Sequence, residues 1–336
     1  MIYIACPEKF ATGGTELLHQ LYYKINKIRE DVRIYYYNKS DEFPTAEKFL
    51  KYNIKFVEKI EDKKNNILIV PEVNTEELTK YIEIKKYIWW LSVDNYTSKY
   101  AFYLKEKINK ERNYLVKFKL YRNMRRRIKN NEIELLNINE KNIKHLVQSK
   151  YAEEFLKSKN IQSENIKYLS DYISDEFFKQ DIKKYKRENI VLYNPKKGLE
   201  FTKELMKGYP QYKYIALENM TSLEIVEICL KSKIYIDFGE HPGKDRFPRE
   251  TAILGCIILT GKKGSAKYYE DISIPEEYKF EDEKLNKNII KKVGEKIDFI
   301  FNNYEENYNE LENYREKIRN EEKVFEKEIL EFLENI

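Results

Sequence analysis

Short apolar runs recur along the chain, each bounded by proline, glycine, asparagine or charge. Ile2-Tyr3-Ile4-Ala5-Cys6, 32–37, Ile54-Lys55-Phe56-Val57, Ile67-Leu68-Ile69-Val70 and 87–93 have the length and the continuous apolar character of buried strands. Between them the spacing turns helical. Leu17, Leu18, Leu21 and Tyr22 predict a helix after Gly13-Gly14, and further helices are predicted over 45–52 and about 75–83. A strand at 144–149, a helix from Tyr151 with Ser149 as cap, and a short strand and turn at 167–173 complete the first half. The second half restarts the alternation. Strands are predicted at 189–193, 212–217, 234–236 and 256–259, with helices over about 199–207, 222–230 and 248–254. The stretch of about 283–334 reads as helix, with Ile289, Val293, Ile297, Ile300 and Tyr304 on one stripe.

Alternating strands and helices predict an α/β protein with parallel, doubly wound sheets. A length of 336 residues suits two domains. Residues 174–188 are charged and aperiodic, which places the junction there. The expected layout is an N-terminal Rossmann-like domain over 1–173, a hinge over 174–188 and a second Rossmann-like domain over 189–320. A C-terminal helix over 321–336 is expected to pack back on the first domain.

Composition changes this picture little. Hydrophobic residues make up 42%, enough for real cores, while 62 basic residues nearly balance 57 acidic ones. A net charge of +5 therefore points to no nucleic-acid partner, and none is expected. Cys6, Cys229 and Cys256 lie far apart in apolar runs, without a CxxC pair, and read as buried thiols of a reducing cytoplasm. The cysteines and histidines show no ligand spacing, so no metal is expected. The N-terminal run lacks a basic lead and reads as strand rather than signal peptide, and no apolar run is long enough to span a membrane.

One segment stands out locally. Over 99–130, Lys105, Lys107, Lys110, Arg112, Lys117, Lys119, Arg122, Arg125, Arg126, Arg127 and Lys129 interleave with Tyr100, Phe102, Tyr103, Tyr114, Phe118 and Tyr121. Such a segment suits an anionic membrane surface or an anionic acceptor, with nucleic acid a third reading, and these first two are preferred narrowly over a solvated helical face above core aromatics. A peripheral position on the inner face of the membrane, through 105–129, is one expectation.

The candidate chemistry lies in loops that follow strands, where open α/β sheets bind ligands. Gly13 and Gly14 let a ligand approach the backbone before a helix N-terminus. Asp94 follows the strand 87–93, at a ligand position that is also a common turn or cap position. Asn194-Pro195-Lys196-Lys197-Gly198 follows 189–193, and Gly261-Lys262-Lys263-Gly264-Ser265 follows 256–259. Two lysine pairs on one edge suit a diphosphate. Glu250 suits a ribose diol, because one carboxylate accepts from two hydroxyls. The loop from Asp237 to Gly255 carries Glu240, His241, Asp245 and Arg246 as well.

With these stretches in view, nearly the whole chain resembles the GT-B glycosyltransferases, in particular the family 4-like bacterial enzymes that build surface polysaccharides. Ala11-Thr12-Gly13-Gly14-Thr15-Glu16 resembles their N-terminal glycine loop, and 145–151 their strand-serine-helix step before the hinge. Tyr193-Asn194-Pro195-Lys196-Lys197-Gly198-Leu199-Glu200 resembles the loop that holds the donor diphosphate. Phe247-Pro248-Arg249-Glu250-Thr251-Ala252 resembles the Pro-x-x-Glu-Ala helix start, with Glu250 in the place of the ribose-binding glutamate. The family has a second glutamate where Pro242 stands here, which leaves Glu240, His241 or Asp245 to face the sugar. The family histidine after the fourth-type strand is replaced by Ser92-Val93-Asp94.

The resemblance implies a GT-B fold, two Rossmann-like domains facing across a cleft. It implies transfer from a nucleotide-diphosphate sugar, as co-substrate and without a further cofactor, to an envelope glycan or lipid-linked acceptor. Gly13, Gly14, Asn194, Lys196, Lys197, Arg246, Glu250 and Lys263 would bind the donor. Asp94, Glu240, His241 and Asp245 are the catalytic candidates. Retention is expected, since the donor phosphate can then assist the acceptor hydroxyl; inversion would use Asp94 as base. A GT-B-fold sugar-nucleotide epimerase and a non-catalytic nucleotide-sugar-binding subunit are the competing expectations.

Overall fold

The computed structural model describes residues 1–109, 114–129, 142–282 and 286–336. Side chains at 102–104, 106, 107, 109 and 127–129 lie outside the description, as do Lys110 and Arg112 of the basic segment. The chain forms two units. Unit 1 holds Met1–Gln148, Ala152–Leu169 and Ile329–Ile336; unit 2 holds Ser149–Tyr151 and Ser170–Glu328.

Unit 1 is built on strands β1 (Ile2–Pro7), β2 (Val32–Tyr37), β3 (Phe56–Val57), β4 (Ile67–Pro71), β5 (Lys85–Trp90), β6 (Ile143–Val147) and β7 (Ile166–Tyr168). They form a seven-stranded parallel sheet in the order β3-β2-β1-β4-β5-β6-β7. The order reverses between β1 and β4, the switch point at which such sheets take ligands. All of β4 is buried, as its unbroken Ile-Leu-Ile-Val run requires of a central parallel strand. The helices are α1 (Gly13–Ile28), α2 (Val93–Asn109), α3 (Tyr114–Lys129) and α4 (Lys150–Ser158), the last opening on Lys150 and Tyr151 of unit 2. Thr12 caps α1 in a reciprocal pair with Thr15. The predicted helices at 45–52 and 75–83 are instead 3-10 turns, Glu47–Tyr52 and Glu72–Lys80. The second is kinked at Asn74, and neither segment has the apolar stripe that sustains a longer helix.

Unit 2 is built on β8 (Glu188–Tyr193), β9 (Lys213–Ala216), β10 (Ser232–Asp237) and β11 (Ile257–Thr260), a parallel sheet in the order β11-β10-β8-β9. Its switch point lies between β8 and β10. Helices α5 (Leu199–Gly208), α6 (Ser222–Lys231) and α7 (Arg246–Ile253) connect the strands. Thr221 caps α6, with Glu224 reaching back to close a capping box. The charged stretch after 173 forms two short 3-10 turns, Asp175–Phe178 and Ile182–Lys184. The predicted long C-terminal helix is three: α8 (Lys287–Asn302), α9 (Tyr304–Glu310) and α10 (Glu312–Glu334). Asn303 and Leu311 leave helical geometry between them. The stripe Val293, Ile297 and Ile300 is fully buried against the sheet. The end of α10 belongs to unit 1, where the Phe332 ring meets Tyr87 edge-on. Among the described residues no helix is long and apolar enough to cross a membrane.

Candidate functional site

The loops that follow β8, β10 and β11 meet at the carboxyl edge of the second sheet. Asn194 is buried and its Oδ1 accepts the Lys196 N–H at 3.0 Å, a local turn that sets the direction of both lysines. Gly198 then adopts φ 55°, and a Cβ there would run into the Phe238 carbonyl of the next loop. Gly264 repeats the device with φ 54° against the His241 carbonyl. Any side chain at these positions would be strained and would push the loops apart. Hydrogen bonds close the same seams. Ser265 donates its N–H to His241 O at 2.9 Å and its hydroxyl to Gly243 O at 2.6 Å, and Gly261 N–H reaches Asp237 O at 3.1 Å.

Within this frame the middle loop carries a buried charge network. Tyr235 donates its hydroxyl to Asp237 Oδ2 at 2.9 Å. His241 has no exposed surface. Its Nε2 lies 3.3 Å from Asp237 O and 3.6 Å from Asp237 Oδ1, and its Nδ1 lies 2.8 Å from Asp245 Oδ2. The Nδ1 contact is an ion pair off the axis of a straight hydrogen bond. Lys197 Nζ holds the same Asp245 oxygen at 2.5 Å. Burial alone would push the imidazole down, but Asp237 and Asp245 outweigh it and hold His241 above its usual value. Burial likewise pushes Asp245 up, and His241 and Lys197 pull it below its usual value. The donor atoms of Asp237, His241 and Asp245 lie within 4.8 Å of one another, and Lys197 already supplies a cation to this group.

Helix α7 starts two residues before Pro248, which needs no N–H partner in a first turn. Glu250 therefore lies a full turn inside the helix, where Arg246 Nε reaches its Oε1 at 2.9 Å and Arg246 Nη2 reaches Ser174 Oγ at 3.1 Å. Asp245 is the N-cap by position, yet its carboxylate makes no capping bond and faces Lys197 and His241 instead. Lys196 is exposed. Lys263 Nζ lies 3.5 Å from exposed Glu240 and 3.7 Å from buried Asp282, whose carboxyl is raised by burial against the pull of Lys263. Lys262 turns away to Glu276 and Glu281.

Sequence reasoning missed the anchor beneath this site. Arg249 is buried and makes a fork on Asp171, at 3.0 and 2.6 Å, with Glu321 of α10 at 2.8 Å. Lys244 joins the same two carboxylates at 3.3 and 2.8 Å. The signal available was a pair of cations, Lys244 and Arg249, flanking the loop's aromatic and proline positions, but the partners of Arg249 lie 78 and 72 residues away in sequence.

The remaining candidates belong to unit 1. Gly13 and Gly14 open α1 at the switch point, and a Cβ on Gly14 would meet only Leu91, at an ordinary 3.7 Å. Asp94 is half-buried in the first turn of α2. The cap there is Ser92, whose hydroxyl accepts the Asn95 N–H at 3.2 Å. Nearby, buried Glu72 accepts the Leu91 N–H at 3.0 Å, and burial raises its carboxyl to about 7.

By sequence, no family model and no curated protein matches the chain. By structure, solved proteins match over its whole length. HepE from Anabaena, in complex with UDP-glucose, is 10% identical with a TM-score of 0.60, over 100% of this chain and 99% of that one. The fold is that of the GT-B glycosyltransferases. Two further GT-B structures agree. Sucrose-phosphate synthase from Thermosynechococcus elongatus is 9% identical, with a TM-score of 0.61 over 99% of this chain and 98% of the other. WaaG, a glycosyltransferase involved in lipopolysaccharide biosynthesis, is 12% identical, with a TM-score of 0.57 over 98% and 99%. The GT-B fold accounts for two parallel sheets in one chain, each with its own switch point.

Proposed function

We propose that the chain is a glycosyltransferase that moves a sugar from a nucleoside-diphosphate sugar to a glycan or lipid-linked acceptor. The observation that carries this reading is the edge of the second sheet. Lys196, Lys197 and Lys263 are carried by loops locked to one another at the switch point, and Arg246 opens the helix after the middle loop, paired to Glu250. Lysines and backbone N–H groups on the leaving diphosphate would stabilise the charge that develops as the glycosidic bond breaks. Glu250, oriented by Arg246, would take the ribose hydroxyls. Glu240, exposed beside Lys263, is the carboxylate of this edge best placed for the sugar. A retaining course needs no separate base; Asp94 is the residue for an inverting one. HepE and WaaG, by their names and bound nucleotide, favour a nucleotide sugar and an envelope glycan as substrates. Helix α3 exposes Tyr114, Leu115 and Phe118 among Lys119, Arg122, Arg125 and Arg126, which favours an acceptor held at an anionic membrane surface.

The test is incubation with UDP-, GDP- and ADP-sugars in the absence of acceptor. Slow release of nucleoside diphosphate supports the transferase. A new sugar nucleotide would mark an epimerase, and binding without turnover a binding subunit. Glu250→Ala should weaken nucleotide binding about tenfold or more, the loss expected for a charged hydrogen-bond acceptor; unchanged affinity would remove Glu250 from the site. Flotation with anionic and neutral vesicles tests α3 in the same preparation.

A further inference from the structure

His241 was a candidate to face the sugar, yet it is wholly buried, so its part in the site must be played through another residue. Both of its ring nitrogens face acceptors: Nδ1 the Asp245 carboxylate, Nε2 the carbonyl and carboxylate of Asp237. A neutral imidazole has one N–H and would turn a lone pair on one of these oxygens; the imidazolium turns an N–H to Asp237 O and places positive charge beside the Asp245 carboxylate. The groups around it are Tyr235 and Asp237 on β10, Asp245 ahead of α7, Lys197 from the loop after β8, and the Ser265 backbone. Asp237 and Asp245 are thus balanced by His241 and Lys197. Of the two cations, only Lys197 is partly exposed, at 22%, while His241 is at 0%.

We propose that His241 is a positioning residue whose imidazolium shares Asp245 with Lys197, so that Lys197 can transfer to a donor diphosphate without leaving the largely buried Asp245 unpaired. This rests on the donor-binding reading given above. The physical logic is a hand-over of charge. Asp245 is largely but not wholly buried, at 19% exposed, and stripping such a carboxylate of its cations carries a cost that would otherwise be subtracted from the affinity for the diphosphate. With His241 in place the carboxylate keeps one partner throughout. No bond is made or broken and no proton moves; one ammonium exchanges a carboxylate for a phosphate. If His241 is instead neutral, Lys197 is, among the described residues, the sole cation on the Asp245 carboxylate and is held there. Affinity for the diphosphate should therefore fall as pH is raised through the His241 titration.

The chain has three histidines, so imidazole NMR resolves them. In the full-length protein at pH 7.5, one histidine should show imidazolium shifts and two neutral ones, and His241→Gln should delete the charged one. Three neutral histidines would overturn the proposal, as would loss of the imidazolium signature on adding manganese or zinc, which would make the cluster a metal centre. Binding of UDP, GDP and ADP is measured in parallel by calorimetry. His241→Gln should weaken the best-bound nucleotide at least about tenfold, the scale of truncating one partner of a buried charge pair. The double variant His241→Gln, Asp245→Asn should recover most of that loss, because Lys197 then has no buried carboxylate to guard. A folded His241→Gln protein that binds like wild type, or a double variant no better than the single, would overturn the proposal alone. A wild-type protein that binds no nucleoside diphosphate would remove the donor reading first, and this proposal with it.

Discussion

The two sheets place histidine in opposite environments. In unit 1, His19 and His145 are buried among aromatic rings. His19 stacks on Phe49 at 4.3 Å and its Nδ1 donates to Thr15 O at 2.6 Å. His145 Nδ1 accepts the Trp90 indole N–H at 3.0 Å, which requires a lone pair and hence the neutral ring. Burial depresses both to about 4. In unit 2, His241 is just as fully buried but stands between two carboxylates, which hold it above its usual value. Depth of burial therefore does not decide the charge of a histidine; the polarity of its partners does. Unit 1 keeps its histidines as packing, and unit 2 spends its one as charge.

The largest test of this contrast removes the ionic anchor of unit 2. Arg249→Met would leave Asp171 and Glu321 with Lys244 alone, and should destabilise unit 2 by about 3–5 kcal/mol, the scale of breaking a buried ion pair. A lower urea midpoint, with unit 1 amides still protected from hydrogen exchange, is the expected result. Next comes acid. The folded forms of His19 and His145 titrate near 4 while an unfolded histidine titrates near 6.5, so between these values the unfolded chain binds more protons. Stability from these two sites is full above pH ~6.5 and is lost as pH falls towards 4, by up to about 3 kcal/mol for each histidine. His241 has the opposite sign: its raised folded value stabilises below the unfolded value and that stability is lost as pH rises through the folded one. His145→Gln should flatten the acid limb of a thermal-melt series, and His241→Gln the alkaline limb. Exchanged assignments would break the comparison. The smallest effect is expected from Gly198→Ala, about 1–3 kcal/mol of strain at a left-handed backbone pressed on Phe238, with weaker nucleotide binding as the loop shifts.

What could be read from the sequence follows from what periodicity reports. Strands buried on both faces leave unbroken apolar runs, so β1, β4, β8 and β10 were visible, and with them the class and the paired sheets. The helical reading of 283–334 was right in kind but joined three helices, because the breaks at Asn303 and Leu311 fall within a charged pattern that stays helical on either side. Loops have no period. His241, in a segment rich in proline, glycine and charge, read as a candidate to face the sugar and is wholly buried. Arg249 read as part of a motif and is an interior ion-pair centre, because its carboxylates come from Asp171 and Glu321, which no local pattern connects to it. Lys197 and Asp245 were both named as site residues, but not as each other's partner.

The glycine seams at 198 and 264 bear on how such a site can change. Because Gly198 rests on Phe238 and Gly264 on His241, the three loops cannot lengthen or shorten one at a time without opening a seam. If this edge holds the donor as proposed, specificity should change more easily by exchanging the side chains that the loops carry, exposed Glu240 and Lys196 and partly exposed Lys263, than by remodelling the backbone beneath them. A library confined to those positions should yield folded variants with altered sugar preference at high frequency. One that inserts residues between 238 and 245 should yield mostly unfolded protein.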